Sequence, residues 1–98
     1  MLSYLVGTSE STTVEWKQSL SEIKEIIATI SAFANTEGGR IFVGVSNEGK
    51  IIEIHVGKST LENLVNQIHQ QIEPKIHPKI TEKEVEDKEI IIIEVKES

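Results

Sequence analysis

Two groups of residues in this chain have types and spacings suited to chemistry. The first is the run Ala32-Phe33-Ala34-Asn35-Thr36-Glu37-Gly38-Gly39-Arg40, which leads directly into Ile41-Phe42-Val43-Gly44-Val45. Gly38 and Gly39 remove side-chain bulk and can leave backbone amides open to phosphate oxygens. Asn35 and Thr36 add hydrogen-bonding groups, and the Arg40 guanidinium is a fork suited to phosphate. Gly44, inside an apolar run, lets another backbone or a ligand lie close. The same residues also read as a helix stop and a tight connection, with Gly44 making room for a core side chain. Residue types alone leave both readings open.

The second group is acidic. Glu10 and Glu15, with Glu48 or Glu53, could hold a divalent cation such as Mg or Mn, with Lys17 beside them, as metal-dependent phosphodiester cleavage requires. A chain with 16 acidic residues places many carboxylates on its surface in any case. No catalytic or metal-binding set is therefore assigned from these residues, and no cofactor is expected outside that nuclease reading.

Cations are few. Lys75-Ile76-His77-Pro78-Lys79 forms a basic knot, and Lys17, Arg40, Lys50 and Lys58 complete the groups that a phosphate-binding patch could use. His55, His69 and His77 show no metal-ligand spacing, and His69, beside an apolar helical stripe, reads as a structural histidine. No serine–histidine–acid set can be drawn. A nucleotide P-loop is also excluded at the glycine corner, where the helix precedes the loop and no Gly-Lys-Ser/Thr follows. Gly57-Lys58-Ser59 lacks the required preceding glycine, since Ile52 occupies that position.

The elements that must position these groups follow from periodicity. Residues 12–17 alternate as a strand, with Val14 and Trp16 on one face and Thr13, Glu15 and Lys17 on the other. A helix is expected from Ser19 or Leu20 to Asn35, with Ile23, Ile26, Ile27, Ile30 and Phe33 as its apolar stripe. Ser19 and Glu22 have the spacing of a capping box. Residues 40–46 form a buried strand, and the Ser46-Asn47-Glu48-Gly49 turn leads to a second strand over 50–56. A second helix, capped by Ser59 or Thr60, carries Leu61, Leu64, Val65, Ile68 and Ile72 and closes at Pro74. Strands over 78–85 and 89–96 complete the chain. The expected fold is α/β, a two-layer β-α-β-β-α-β-β domain with a mixed sheet and two helices on one face. Ile91, Ile93 and Val95 face the helices, which leaves Ile90 and Ile92 exposed on the other side.

At 98 residues the chain is expected to be a single domain over 1–98. Its end, directly after a strong strand, suggests the N-terminal piece of a longer protein, or a partner covering Ile90 and Ile92. Cysteine is absent, which excludes disulfides and thiolate metal sites. With no signal-like or membrane-spanning stretch, a cytoplasmic location is expected. The net charge is −6, and residues 81–98 concentrate it with seven acidic and three basic groups. A strong autonomous DNA binder usually has a clear basic patch, so any patch here must be local.

The blocks Glu10-Ser11, Glu15-Trp16-Lys17, Ile30 to Thr36, Gly38-Gly39 and Ile41 to Val45 resemble the Schlafen AlbA-like family, to which DNA binding is ascribed. Trp16 stands where the family usually has Phe. The resemblance implies a nucleic-acid-binding domain of a transcriptional regulator or helicase-related protein, with DNA favoured over RNA as partner. Together with the residue chemistry of the corner and the cations, the expected contacts are Lys17, Asn35, Thr36, Gly38, Gly39, Arg40, Lys50, Lys75 and Lys79. Related Schlafen domains form an endoribonuclease with three carboxylates. Two match Glu10 and Glu15, and the third is an aspartate where this chain has Ser46-Asn47-Glu48. The alternatives are thus a metal-dependent endoribonuclease in which Glu48 substitutes, or an assembly module that dimerises or binds the rest of its parent protein.

Overall fold

The computed structural model describes residues 13–57, 59–72 and 77–97. Strand β1 (Val14–Lys17) leads through a 3-10 turn (Leu20–Glu22) into helix α1 (Ile23–Ala34), then strand β2 (Gly39–Val43). Helix α2 (Thr60–Gln71) and the hairpin β3 (Lys79–Val85) and β4 (Lys88–Val95) follow. The sheet runs β1-β2-β4-β3, with β1 and β2 parallel and the other two pairs antiparallel. This is the mixed sheet with two helices that periodicity predicts.

The start of α1 is tighter than a capping box. Ser19 Oγ accepts from the Ser21 amide at 2.9 Å, and the Glu22 carboxylate accepts from the Gln18 amide at 3.0 Å. The first turn is 3-10, which moves each reciprocal bond one residue toward the N-terminus. At α2 the Ser59 side chain makes no capping bond; Thr60 Oγ1 accepts from the Gly57 amide at 2.8 Å instead. The expected stop at Pro74 lies outside the described residues, and the last helical residue is Gln71.

Both helices pack on one sheet face. Ile26, Ile27, Ile30 and Phe33 of α1 and Leu64 and Ile68 of α2 meet Ile41, Val43, Ile91, Ile93 and Val95. The opposite face carries a second, smaller core of Val14, Phe42, Val45, Ile51, Val85 and Ile90, with Trp16 and Ile92 packed against it. The expectation that Ile90 and Ile92 stand exposed is therefore corrected: Ile90 is fully buried and Ile92 half-buried.

The expected strand over 50–56 is also corrected. It is reduced to a single bridge, Val45 to Ile51. The cause is Gly44, whose φ of +109° turns the chain out of the sheet. The Lys17 carbonyl accepts from both the Gly44 and Val45 amides, at 2.7 and 3.1 Å, so the ladder bulges there. Ile52 and Ile54 donate to the Gly44 and Glu89 carbonyls, which holds the segment beside the sheet without a second ladder. The turn at 46–49 then folds over the second core. Ser46 Oγ accepts from the Glu48 and Lys50 amides, and Gly49 lies against the Trp16 ring.

The β3–β4 connection is a two-residue loop in which Glu86 and Asp87 have φ of +53° and +66°. Positive φ at both positions is the geometry that favours Asn-Gly. The register Val85↔Lys88 fixes this turn, so the sheet holds two L-residues in an unfavourable backbone region. Replacing Glu86 by Asn and Asp87 by Gly should stabilise the domain by about 1 kcal/mol. Urea denaturation measures this; an unchanged or lower midpoint would contradict the turn geometry.

Candidate nucleic-acid interface

The glycine corner joins α1 to β2, and its geometry is set from inside. The Asn35 amide donates to the Ser31 carbonyl, and the Thr36 and Gly38 amides donate to the Phe33 carbonyl at 3.1 and 2.8 Å. The Thr36 hydroxyl reaches back to the carbonyls of Ala32 and Phe33. The Arg40 amide pairs with the Thr13 carbonyl at 2.9 Å. These donors cap the helix and extend the sheet, which leaves no amide cradle of Thr36, Gly38 and Arg40 for phosphate. The corner also sits at the C-terminal, partially negative end of α1, where anions are disfavoured.

The two glycines are explained by packing. Gly38 has φ of +83°, and a Cβ there would stand 2.6 Å from the Val95 carbonyl oxygen. A Cβ on Gly39 would meet the Phe33 ring at 2.7 Å and the Thr13 carbonyl at 2.8 Å. Thus the corner lets β2 enter the sheet between β1 and β4 immediately after the helix.

What the corner does provide is the placement of Arg40. The register puts Arg40 opposite Glu94, and Glu94 opposite Lys79, in one row across β2, β4 and β3. All three are exposed, on the face away from the helices. The Arg40 guanidinium carbon lies 5.9 Å from the centroid of the buried Phe42 ring, which orients it on that face. Two residues along β3 from Lys79 comes Thr81, exposed, and then Lys83, half-buried. Beside the row an open cleft of about 260 Å³ is lined by Thr13, Glu37, Gly38, Gly39, Arg40, Glu94, Val95 and Lys96.

The other sequence candidates are not brought together there. Lys17 shares the helix-facing side of β1 with Glu15, and its Nζ stands 3.9 Å from the Glu15 carboxylate. Lys50 is exposed at the end of the turn over the second core. Lys75 and Glu10 lie outside the described residues. Glu15 is on the helix side of the sheet, whereas Gly49, next to Glu48, packs on Trp16 of the opposite face. Among the described residues no group of three His, Cys, Asp or Glu is placed to hold a metal ion. Lys83 and Lys96 were missed by the sequence reading. Strand alternation alone could have placed Lys83 with Lys79, but setting both beside Arg40 needed the strand order.

The helix-side end of β3 and β4 is acidic. The Glu82 carboxyl is held above its ordinary value, first by a side-chain hydrogen bond with Glu89, then by desolvation and by the Glu89 charge. Phosphate is repelled there, which separates an acidic end from the Arg40–Lys79 end of the sheet.

If Gly38 serves packing, Gly38→Ala should destabilise the fold by about 2 kcal/mol or more, since it combines a strained backbone with a steric clash. Chemical denaturation measures this. Unchanged stability accompanied by lost nucleic-acid binding would restore the phosphate-loop reading.

Comparison with known proteins agrees with this architecture. The DIP2311 protein of Corynebacterium diphtheriae has the same fold, with a TM-score of 0.72 and 20% identity over 93% of this chain. This chain spans only 22% of that protein. The N-terminal domain of a Nitrosomonas europaea protein named as related to the ATP-dependent DNA helicase RecG matches with a TM-score of 0.63 and 22% identity. That match covers 99% of this chain and 71% of the other. The family model described as Schlafen, AlbA_2 matches residues 10–98, and the chain belongs to that family.

Proposed function

We propose that this domain binds nucleic acid, DNA in preference to RNA, through the helix-free end of its sheet. Arg40 and Lys79 make the central phosphate contacts, and Lys83 and Lys96 flank them. The observation that carries this reading is the cross-strand row Arg40–Glu94–Lys79, exposed beside the cleft at the glycine corner. The two cations stand two strands apart on one exposed face, on either side of Glu94, where each can meet a phosphate of a backbone crossing the strands. The preference for DNA rests on the DNA helicase relationship in the name of the Nitrosomonas protein. The small share of the Corynebacterium protein that this fold occupies supports a role as one domain of a larger regulator or helicase-related protein.

Electrostatics keep the affinity modest. Glu94 stands between the two cations, Glu37 lines the cleft, and the whole chain carries a net charge of −6. Binding should be measurable at low salt and fall with a shallow slope, on the order of two to three phosphate contacts. Such a domain positions its parent protein on DNA without reading base sequence by itself.

The endoribonuclease reading, with Glu10, Glu15 and Glu48 around Mg or Mn, draws on no grouping among the described residues. Of the two residues expected to mediate self-assembly, Ile90 is buried in the second core and Ile92 is half-buried against it. Among the described residues no helix is long and apolar enough to cross a membrane.

Fluorescence anisotropy with duplex and single-stranded DNA tests the proposal. The Arg40→Ala, Lys79→Ala double variant should lose on the order of ten-fold in affinity at low salt, and its log–log salt slope should flatten by about 2. Glu94→Gln should tighten binding several-fold by removing the intervening anion. Wild-type affinity in the double variant would reject this surface.

A further inference from the structure

Apart from the sheet surface, the structure brings together two histidines that lie eight residues apart in sequence. His69, in the last turn of α2, places its Nε2 3.2 Å from Nδ1 of His77, which precedes β3. The rings are perpendicular, with an interplanar angle of 85° and centroids 4.9 Å apart. We infer that His69 and His77 form a two-histidine site for a late first-row divalent cation, Zn²⁺ or its imidazole-seeking neighbours.

Three features support this. Two imidazole nitrogens on one Zn²⁺, each about 2.0–2.1 Å from the metal, stand roughly 3.3 Å apart in tetrahedral geometry, and the observed separation already meets that span. A straight N–H···N bond between two imidazoles would put the ring centroids about 5.5 Å apart, so at 4.9 Å the two rings are bent off the line of a straight bond. The pair also lies at the C-terminal end of α2, where the helix dipole favours a cation.

The surroundings suit an open site. Val65, Ile68, Pro78 and Ile80 line a cleft of about 250 Å³ with the two histidines, giving one apolar wall and one side open to solvent. Water would complete the coordination, because among the described residues no third His, Cys, Asp or Glu joins the pair. Binding needs a lone pair on both facing nitrogens, with the protons on Nε2 of His77 and Nδ1 of His69, so whichever ring donates in the pair changes tautomer with no net proton release. The bound ion would tie the start of β3 to α2, at the opposite end of β3 from the Glu86-Asp87 turn.

The test is a titration of the chelator-treated chain with Zn²⁺ and, separately, Ni²⁺, followed by calorimetry and by the imidazole proton resonances. One equivalent should bind, with perturbation confined to His69 and His77, and Tm should rise with ion concentration. His69→Ala and His77→Ala should each weaken binding on the order of 100-fold, as expected when one of two linked ligands is lost. His55→Ala should bind as the unaltered chain does. His77→Gln, which keeps the size and polarity of the loop, distinguishes lost ligation from lost folding. No saturable binding below about 1 mM ion, or retained affinity in His77→Ala or His77→Gln, would overturn the assignment, as would perturbation centred on His55.

Discussion

The domain depends on one strand lying between two others. β4 pairs with β2 along one edge and β3 along the other, and it supplies apolar side chains to both faces. Ile91, Ile93 and Val95 meet the helices, while Ile90 enters the second core with Phe42 and Val45. Each fully buried isoleucine contributes about 1.5–3 kcal/mol. The run 90–93 thus contributes apolar burial on both faces of the sheet and links the two cores. Because β4 is internal, its pleat decides the facing of its neighbours: Arg40 and Lys79 are on the outer face since each pairs with Glu94.

The glycine corner serves that arrangement. It lets the chain leave α1 and enter the sheet without a connecting loop, and it accomplishes this with internal hydrogen bonds that a ligand does not share. In the proposed interface the contact falls one residue beyond the glycines, at Arg40. A third glycine, Gly44, ends the strand and sends the chain over the outer face. One half of that face is thereby covered by the turn packed on Trp16, and the other half stays open. The open half carries the cations.

Much of this was legible in the residues. The helical stripes of Ile26, Ile30 and Phe33 and of Leu64 and Ile68 fixed two helices, and alternation in Val14 and Trp16 fixed β1. The family blocks around the glycine corner were specific enough to point to the right fold. Two features were not legible. The 50–56 segment has a strand's alternation, but Gly44 bends β2 away before a ladder can form, and that is a consequence of local backbone angle. The exposure expected for Ile90 assumed a sheet with one bare face; the turn that covers it acts through tertiary packing, which no periodicity in residues 88–95 encodes. The proposed interface was only half legible for the same reason, since Arg40 and Lys79 are set in one row through a strand order that places β4 between them.

The central claim is that the helix-free end of the sheet is where nucleic acid binds. The most direct measurement is an NMR titration of the isotope-labelled chain with a short DNA duplex at low salt, mapping amide and side-chain perturbations. The account predicts changes centred on Arg40, Lys79, Thr81, Lys83, Glu94 and Lys96, with the exposed faces of α1 and α2 unaffected. Perturbations centred on the helices, or on Glu15 and Lys17 at the opposite face of β1, would contradict it.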